Sequence, residues 1–228
     1  VGSIRLGERI AGCTWKVSPG HYSLRADLGG GQEVEMPLIA CRGWQTAIFL
    51  SVEFDEVHAR YRPDLRQAAI LYLESGMGFG RERTDLNRTE FARLALEQRR
   101  LDLSPTALND LLDGKFLGAH LLLLGPEPRL DLLETVVGNL QKLLGQHEDV
   151  EALRIELAVR RKEPVPTDFK FANPPMLRES WQIVSRESRS HPELLTPDSR
   201  LQKLQQYFVR SGIWLTWRSF DQEEVLAD

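Results

Sequence analysis

Hydrophobic periodicity changes once along this chain, and the change falls at a glycine run, Gly76-Met77-Gly78-Phe79-Gly80. Before the run, apolar residues recur at every second position; beyond residue 86 they recur at helical spacing. A period of two marks strands and one of about 3.6 marks helices. The pattern therefore predicts an α+β chain: an antiparallel β-sandwich or meander over residues 1–75, a glycine-rich linker over 76–85, and a mainly helical domain with a few short strands over 86–228.

Cys13, Trp15 and Val17 alternate with Thr14 and Lys16, and Ser18-Pro19-Gly20 supplies a turn. Tyr22, Leu24, Ala26 and Leu28 alternate with His21, Ser23, Arg25 and Asp27, then Val34, Met36, Leu38 and Ala40 repeat the pattern opposite Glu33 and Glu35. Each strand has one apolar and one charged face, which predicts a sheet wetted on one side. Trp44–Phe54 is rich in β-branched and aromatic residues and reads as a further strand. Ala68–Leu73 fits a strand or a short helix; its run into the glycine segment favours the strand.

In the second part, Phe116–Leu124 is apolar almost all round, predicting a helix central to the core. Leu130, Leu133, Val136, Val137, Leu140 and Leu144 make a long helical stripe ended by Gly145. Leu153, Ile155, Leu157 and Val159 alternate, predicting a strand, with a helix over 149–160 as the alternative. Pro174-Pro175 opens a helix carrying Leu177, Trp181 and Val184. Another begins after Thr196-Pro197, with Leu201, Leu204 and Phe208 inward and Gly212 closing it. Ile213, Leu215 and Trp217 then alternate as a last strand, with Trp214 on its other face.

Charge excludes several classes. The formal charge is −4, and neither side of the glycine run is basic. Arg99-Arg100 and Arg160-Arg161-Lys162 are too short to supply the phosphate contacts that dominate nucleic-acid affinity, so nucleic acid is disfavoured. No stretch reaches the ~20 apolar residues of a membrane helix. Two cysteines, Cys13 and Cys41, rule out a disulfide-dense scaffold and a four-cysteine zinc site, and predict buried, reduced thiols, with one disulfide as the alternative. With no basic-then-apolar leader, the expected compartment is the cytoplasm.

The chain carries no diagnostic catalytic motif, and no cofactor, metal or catalytic residue is assigned from it. His21, His58, His120, His147 and His191 are scattered, without the i,i+4 spacing of a helical zinc site. His120 lies in the apolar helix and reads as a buried, hydrogen-bonded histidine. Gly78 and Gly80 followed by Arg81 and Arg83 have the ingredients of an anion cradle, but neither the dinucleotide nor the P-loop spacing. Cys41 beside Arg42, with His21 or His58, makes a Cys–His dyad conceivable, since a neighbouring cation favours the thiolate. Trp214, on the outer face of the last strand, and Trp44, after a turn, are the candidate partner-binding anchors, because an exposed tryptophan on a strand edge suits protein contacts.

Ser18-Pro19-Gly20-His21-Tyr22-Ser23-Leu24-Arg25, an alternating strand, and Gly43-Trp44-Gln45-Thr46 together resemble the small prealbumin-like (carboxypeptidase-regulatory-like) sandwiches fused to bacterial enzymes. The resemblance covers residues 10–54. Such modules are mostly non-catalytic, so it implies support or interaction and not chemistry.

The sequence thus predicts a non-enzymatic protein-interaction or adaptor module of a bacterial multidomain or multi-protein system. Its partner would be another protein or another domain of the same polypeptide. A cysteine hydrolase and a nucleotide or nucleic-acid sensor using the glycine-rich segment are the alternatives.

Overall fold

A computed structural model describes residues 2–5, 11–29, 32–56, 60–74, 116–124, 128–209 and 212–219. Their sheets are antiparallel and their helices follow in a separate stretch of chain, an α+β arrangement. Strands β1 (Gly2–Arg5) and β2 (Ala11–Thr14) pair with each other. Strands β3 (Gly20–Gly29) and β4 (Gln32–Ala40) pair in a register that sets Tyr22 against Leu38, Leu24 against Met36 and Ala26 against Val34. Apolar side chains therefore meet on one face, the cross-strand contact that stabilises a sheet. Gly43 turns the chain into the next hairpin at φ 79°, a backbone region costly for any residue with a Cβ. That hairpin joins β5 (Trp44–Asp55) to β6 (Arg60–Glu74), so Ala68–Leu73 is strand, as the glycine boundary suggested.

Helix α1 (Phe116–Leu124) is buried throughout its middle, as its uniform apolarity requires. Helix α2 (Leu130–Leu144) buries Leu133, Val137, Leu140 and Leu144, and Gly145 ends it by donating its N–H to the Gln141 carbonyl. The predicted strand at 151–159 is instead the middle of helix α3 (Glu148–Arg161). Val150, Leu153 and Leu157 pack into one buried cluster, while Ala152, Ile155 and Val159 pack into a second. Each set has i, i+3, i+7 spacing. A helix buried on two opposite faces superimposes two such stripes, and their sum imitates strand alternation.

Helix α4 (Arg178–Glu187) is as expected, but α5 (Arg200–Leu204) is shorter than its stripe implied. The chain tightens into a 3-10 turn at Gln205–Tyr207 and becomes strand β7 (Phe208–Val209), so Phe208 sits opposite Trp217 in a ladder and not on a helix. Strand β8 (Thr216–Ser219) lies between β7 and β4, giving the sheet order β3-β4-β8-β7. The C-terminal part of the chain thereby completes an N-terminal sheet.

The larger buried cluster takes residues from β3, β4 and β6 and from α1, α2 and α3. The expected linker at 76–85 lies outside the described residues. The charged face of β3–β4 is not the wetted face expected. Glu35 and Ile39 on it are buried, His21 meets Glu148 of α3, and Arg200 of α5 approaches Glu35. Among the described residues, no helix is long and apolar enough to cross a membrane.

Candidate functional site

Trp214 is not the exposed anchor that strand alternation predicted. It is 4% exposed, and Ile213, Leu215 and Trp217 are buried with it. Alternation fails because both sides of this segment are covered. Trp214 bridges to Leu177 at the start of α4, flanked by Arg178 N–H to Ile213 O (2.9 Å) and Leu215 N–H to Met176 O (2.8 Å). Its indole N–H donates to Ala68 O of β6 at 2.6 Å. Trp44 is half-buried, and its indole N–H donates to Leu143 O of α2 at 3.0 Å. A buried indole seeks an acceptor for its single N–H; for Trp44 it is a helix carbonyl met from a strand, and for Trp214 a carbonyl of strand β6.

Gly78, Gly80, Arg81 and Arg83 lie outside the described residues, as do His58 and the side chain of Cys13. Cys41 is a buried thiol. His21 directs Nε2 at Glu148 Oε1, 3.3 Å away.

Sequence reasoning missed the most concentrated chemistry in the molecule. His147, Glu148, Asp149 and Glu151 are all buried at the start of α3. His147 is the N-cap, and its Nδ1 accepts the Asp149 N–H at 3.2 Å. The Asp149 carboxylate crosses to α4, whose own N-cap residue, Leu177, offers no side-chain acceptor. Oδ2 accepts Met176 N–H and Oδ1 accepts Leu177 N–H, each at 2.9 Å. One carboxylate thus caps a second helix while sitting in the first turn of its own, where both helix dipoles favour negative charge. Ser180, fully buried, also bonds Asp149, and His120 Nε2 lies 3.0 Å from the Ser180 oxygen.

Burial sets the protonation states. It lowers His120 to about 4 and, with the His21 charge adding to it, His147 to about 3. It raises Asp149 to about 6 against its hydrogen bonds, and Glu148 to about 8. His21 is lowered by burial and by Arg200. At neutral pH, burial therefore favours a neutral Glu148 facing a neutral His21 imidazole across the 3.3 Å contact. Its Oε2 is buried without a hydrogen-bond partner. Glu151 is held by Arg154 at 2.8 Å and lies near Gln141 of α2.

Serine, histidine and aspartate meet here in the wrong polarity for a nucleophile. Ser180 has one proton to give; donating it to Asp149, the hydroxyl accepts from His120 Nε2–H. An activated serine donates to the imidazole, which withdraws its proton. In this arrangement the imidazole only orients the hydroxyl, which in turn supports a capping carboxylate. Among the described residues, no group of three or more His, Cys, Asp or Glu is placed to hold a metal ion.

No family model, curated protein or solved structure matches the chain. Function has to come from its own side chains.

Among the described residues, the outward side chains are the other group to weigh. Trp15 is 58% exposed and Val17 51%, on the segment leading from β2 into β3, and Tyr22 on β3 is also exposed. The Tyr22 hydroxyl donates to Ser18 O at 2.7 Å and holds the segment's turn against the strand. Phe54 and Leu143 are exposed elsewhere. Alternation with Thr14 and Lys16 placed Trp15 in a strand. The structure ends that strand at Thr14.

Proposed function

We propose that this chain is a non-catalytic protein-interaction module, an adaptor within a multidomain or multi-protein assembly. The observation that carries this reading is Trp15, a large side chain more than half open to solvent in a chain whose other placed tryptophans are drawn inward. Tryptophan is enriched at the centres of protein interfaces because it brings much apolar area at low entropic cost. Among the described residues, buried ionisable groups such as His147 and Asp149 support the same reading, since they cap or join elements of the fold. On this reading, the N-terminal strands form a sandwich-like unit of the prealbumin type, and the compartment is cytoplasmic.

The test is site-specific photo-cross-linking in cells that carry the natural protein. A benzophenone side chain is placed, one at a time, at Trp15, Val17, Phe54 and Leu143. The reading expects discrete protein adducts from at least one position. No adduct from any of the four overturns it.

A further inference from the structure

Trp15, Val17 and Tyr22 do not stand in neutral surroundings. Lys16 lies between the first two, and Gly20 pairs with Ala40, which brings the Ser18-Pro19 turn alongside the Cys41–Gly43 turn and its exposed Arg42. Residues 15–22 and 38–43 contain no aspartate or glutamate. His21 adds no charge near neutral pH, because burial and Arg200 hold it below its ordinary value. Arg25, further along β3, is already paired with Glu33 and Glu35. This end of the β3–β4 pair therefore presents exposed aromatic and aliphatic side chains with two exposed cations, Lys16 and Arg42, close by along the chain.

We propose that this surface docks a short acidic-apolar segment of a protein partner, its apolar side chain on Trp15, Val17 and Tyr22 and its carboxylates at Lys16 and Arg42. This rests on the interaction-module reading and names the partner's chemistry. Apolar anchors carry most of the affinity at such a site, while rim charges fix register and reject the wrong partner. A nucleic-acid strand fits poorly. Cationic contacts to phosphates supply essentially all non-specific affinity for a nucleic-acid backbone, and the chain as a whole is acidic, at −4.

The test is selection of a random peptide library on the full chain, followed by affinity measurements on the enriched peptides. The expected peptides combine Asp or Glu with aromatic or aliphatic residues. Their binding should weaken about tenfold or more in Trp15→Ala and, separately, in Lys16→Glu, and should fall with added salt. Both positions are exposed, so the thermal melting curve should stay in place; Val17→Asp is the second variant if either melts early. The proposal is overturned by no enrichment above the starting library, by enriched peptides without acids, or by affinities that none of these variants changes. An oligo-dT strand that binds the wild type and is lost in Lys16→Glu, with no peptide enriched, reassigns the surface to nucleic acid and also overturns it. If the peptides fail but photo-adducts persist from Phe54 or Leu143, the module reading survives and only this surface is wrong.

Discussion

The indole N–H of Trp214 donates to the carbonyl of Ala68 at 2.6 Å, joining residues 146 positions apart. It ties the segment before β8 to β6 inside the larger buried cluster, which holds both residues. Trp214→Ala should therefore behave as a core deletion and destabilise the protein by about 3–5 kcal/mol in urea titration. Trp214→Phe keeps most of the ring but removes the donor, and should cost about 1–3 kcal/mol. A change below about 1 kcal/mol for the alanine variant would return Trp214 to the surface.

Asp149 supplies two acceptors to backbone groups of another segment. Asp149→Ala leaves Met176 N–H and Leu177 N–H buried without them, at about 1–3 kcal/mol each. Asp149→Asn keeps one acceptor oxygen and should fall between wild type and alanine. Hydrogen exchange should show Met176 and Leu177 exchanging faster in the alanine variant. If asparagine and alanine are equally mild, the carboxylate is not the cap of α4.

Stability should be greatest near pH ~6, falling towards alkali and only gently towards acid, where Asp149, raised to about 6, partly offsets the two histidines. Glu148 holds its proton to about 8 in the fold, against about 4.5 in the open chain. Its stabilisation is full in acid and drains away as pH rises towards 8. His120 and His147 are held neutral to about 4 and about 3. Their contribution is full above about 6.5 and is lost as the pH falls. Between pH ~6.5 and ~8 the loss should be roughly 1–2 kcal/mol. Glu148→Gln, neutral at every pH, should flatten that limb and steepen the rise between about pH 4.5 and 6.5, where Glu148 opposes the two histidines. An alkaline limb of equal slope in wild type and Glu148→Gln would show that another group sets it.

Much of the architecture was legible because many elements meet the core on one side only. Leu133, Val137 and Leu140 form a plain stripe, and on β3 the alternation of Tyr22, Leu24 and Ala26 stays visible because its partly covered other face is polar. His120 was legible too, since an imidazole in an otherwise apolar helix has to be buried and satisfied. What could not be read are the segments covered on both sides. The two burial stripes of α3 summed to a strand-like pattern, and the run from Ile213 to Trp217 alternated without having an outer face. The cluster at His147–Glu151 hid for another reason. Acidic residues in a helix's first turn are the ordinary solvated case, and only the arrival of Met176, Leu177 and Ser180 from far along the chain makes these buried.

Cys41 should react slowly with a small disulfide reagent in the native protein and promptly in urea, because its thiol is buried. Fast native labelling at neutral pH would revive a Cys–His hydrolase and call for an assay of Cys41→Ala.

The most direct measurement pairs two tryptophans in two readouts: the urea midpoint of the isolated protein, and partner capture by a benzophenone placed at Val17. Trp15→Ala should leave the midpoint unchanged and weaken capture about tenfold or more, whereas Trp214→Ala should lower the midpoint sharply. If Trp15→Ala destabilises the fold and leaves capture untouched, the exposed tryptophan is structural and the interaction surface lies elsewhere.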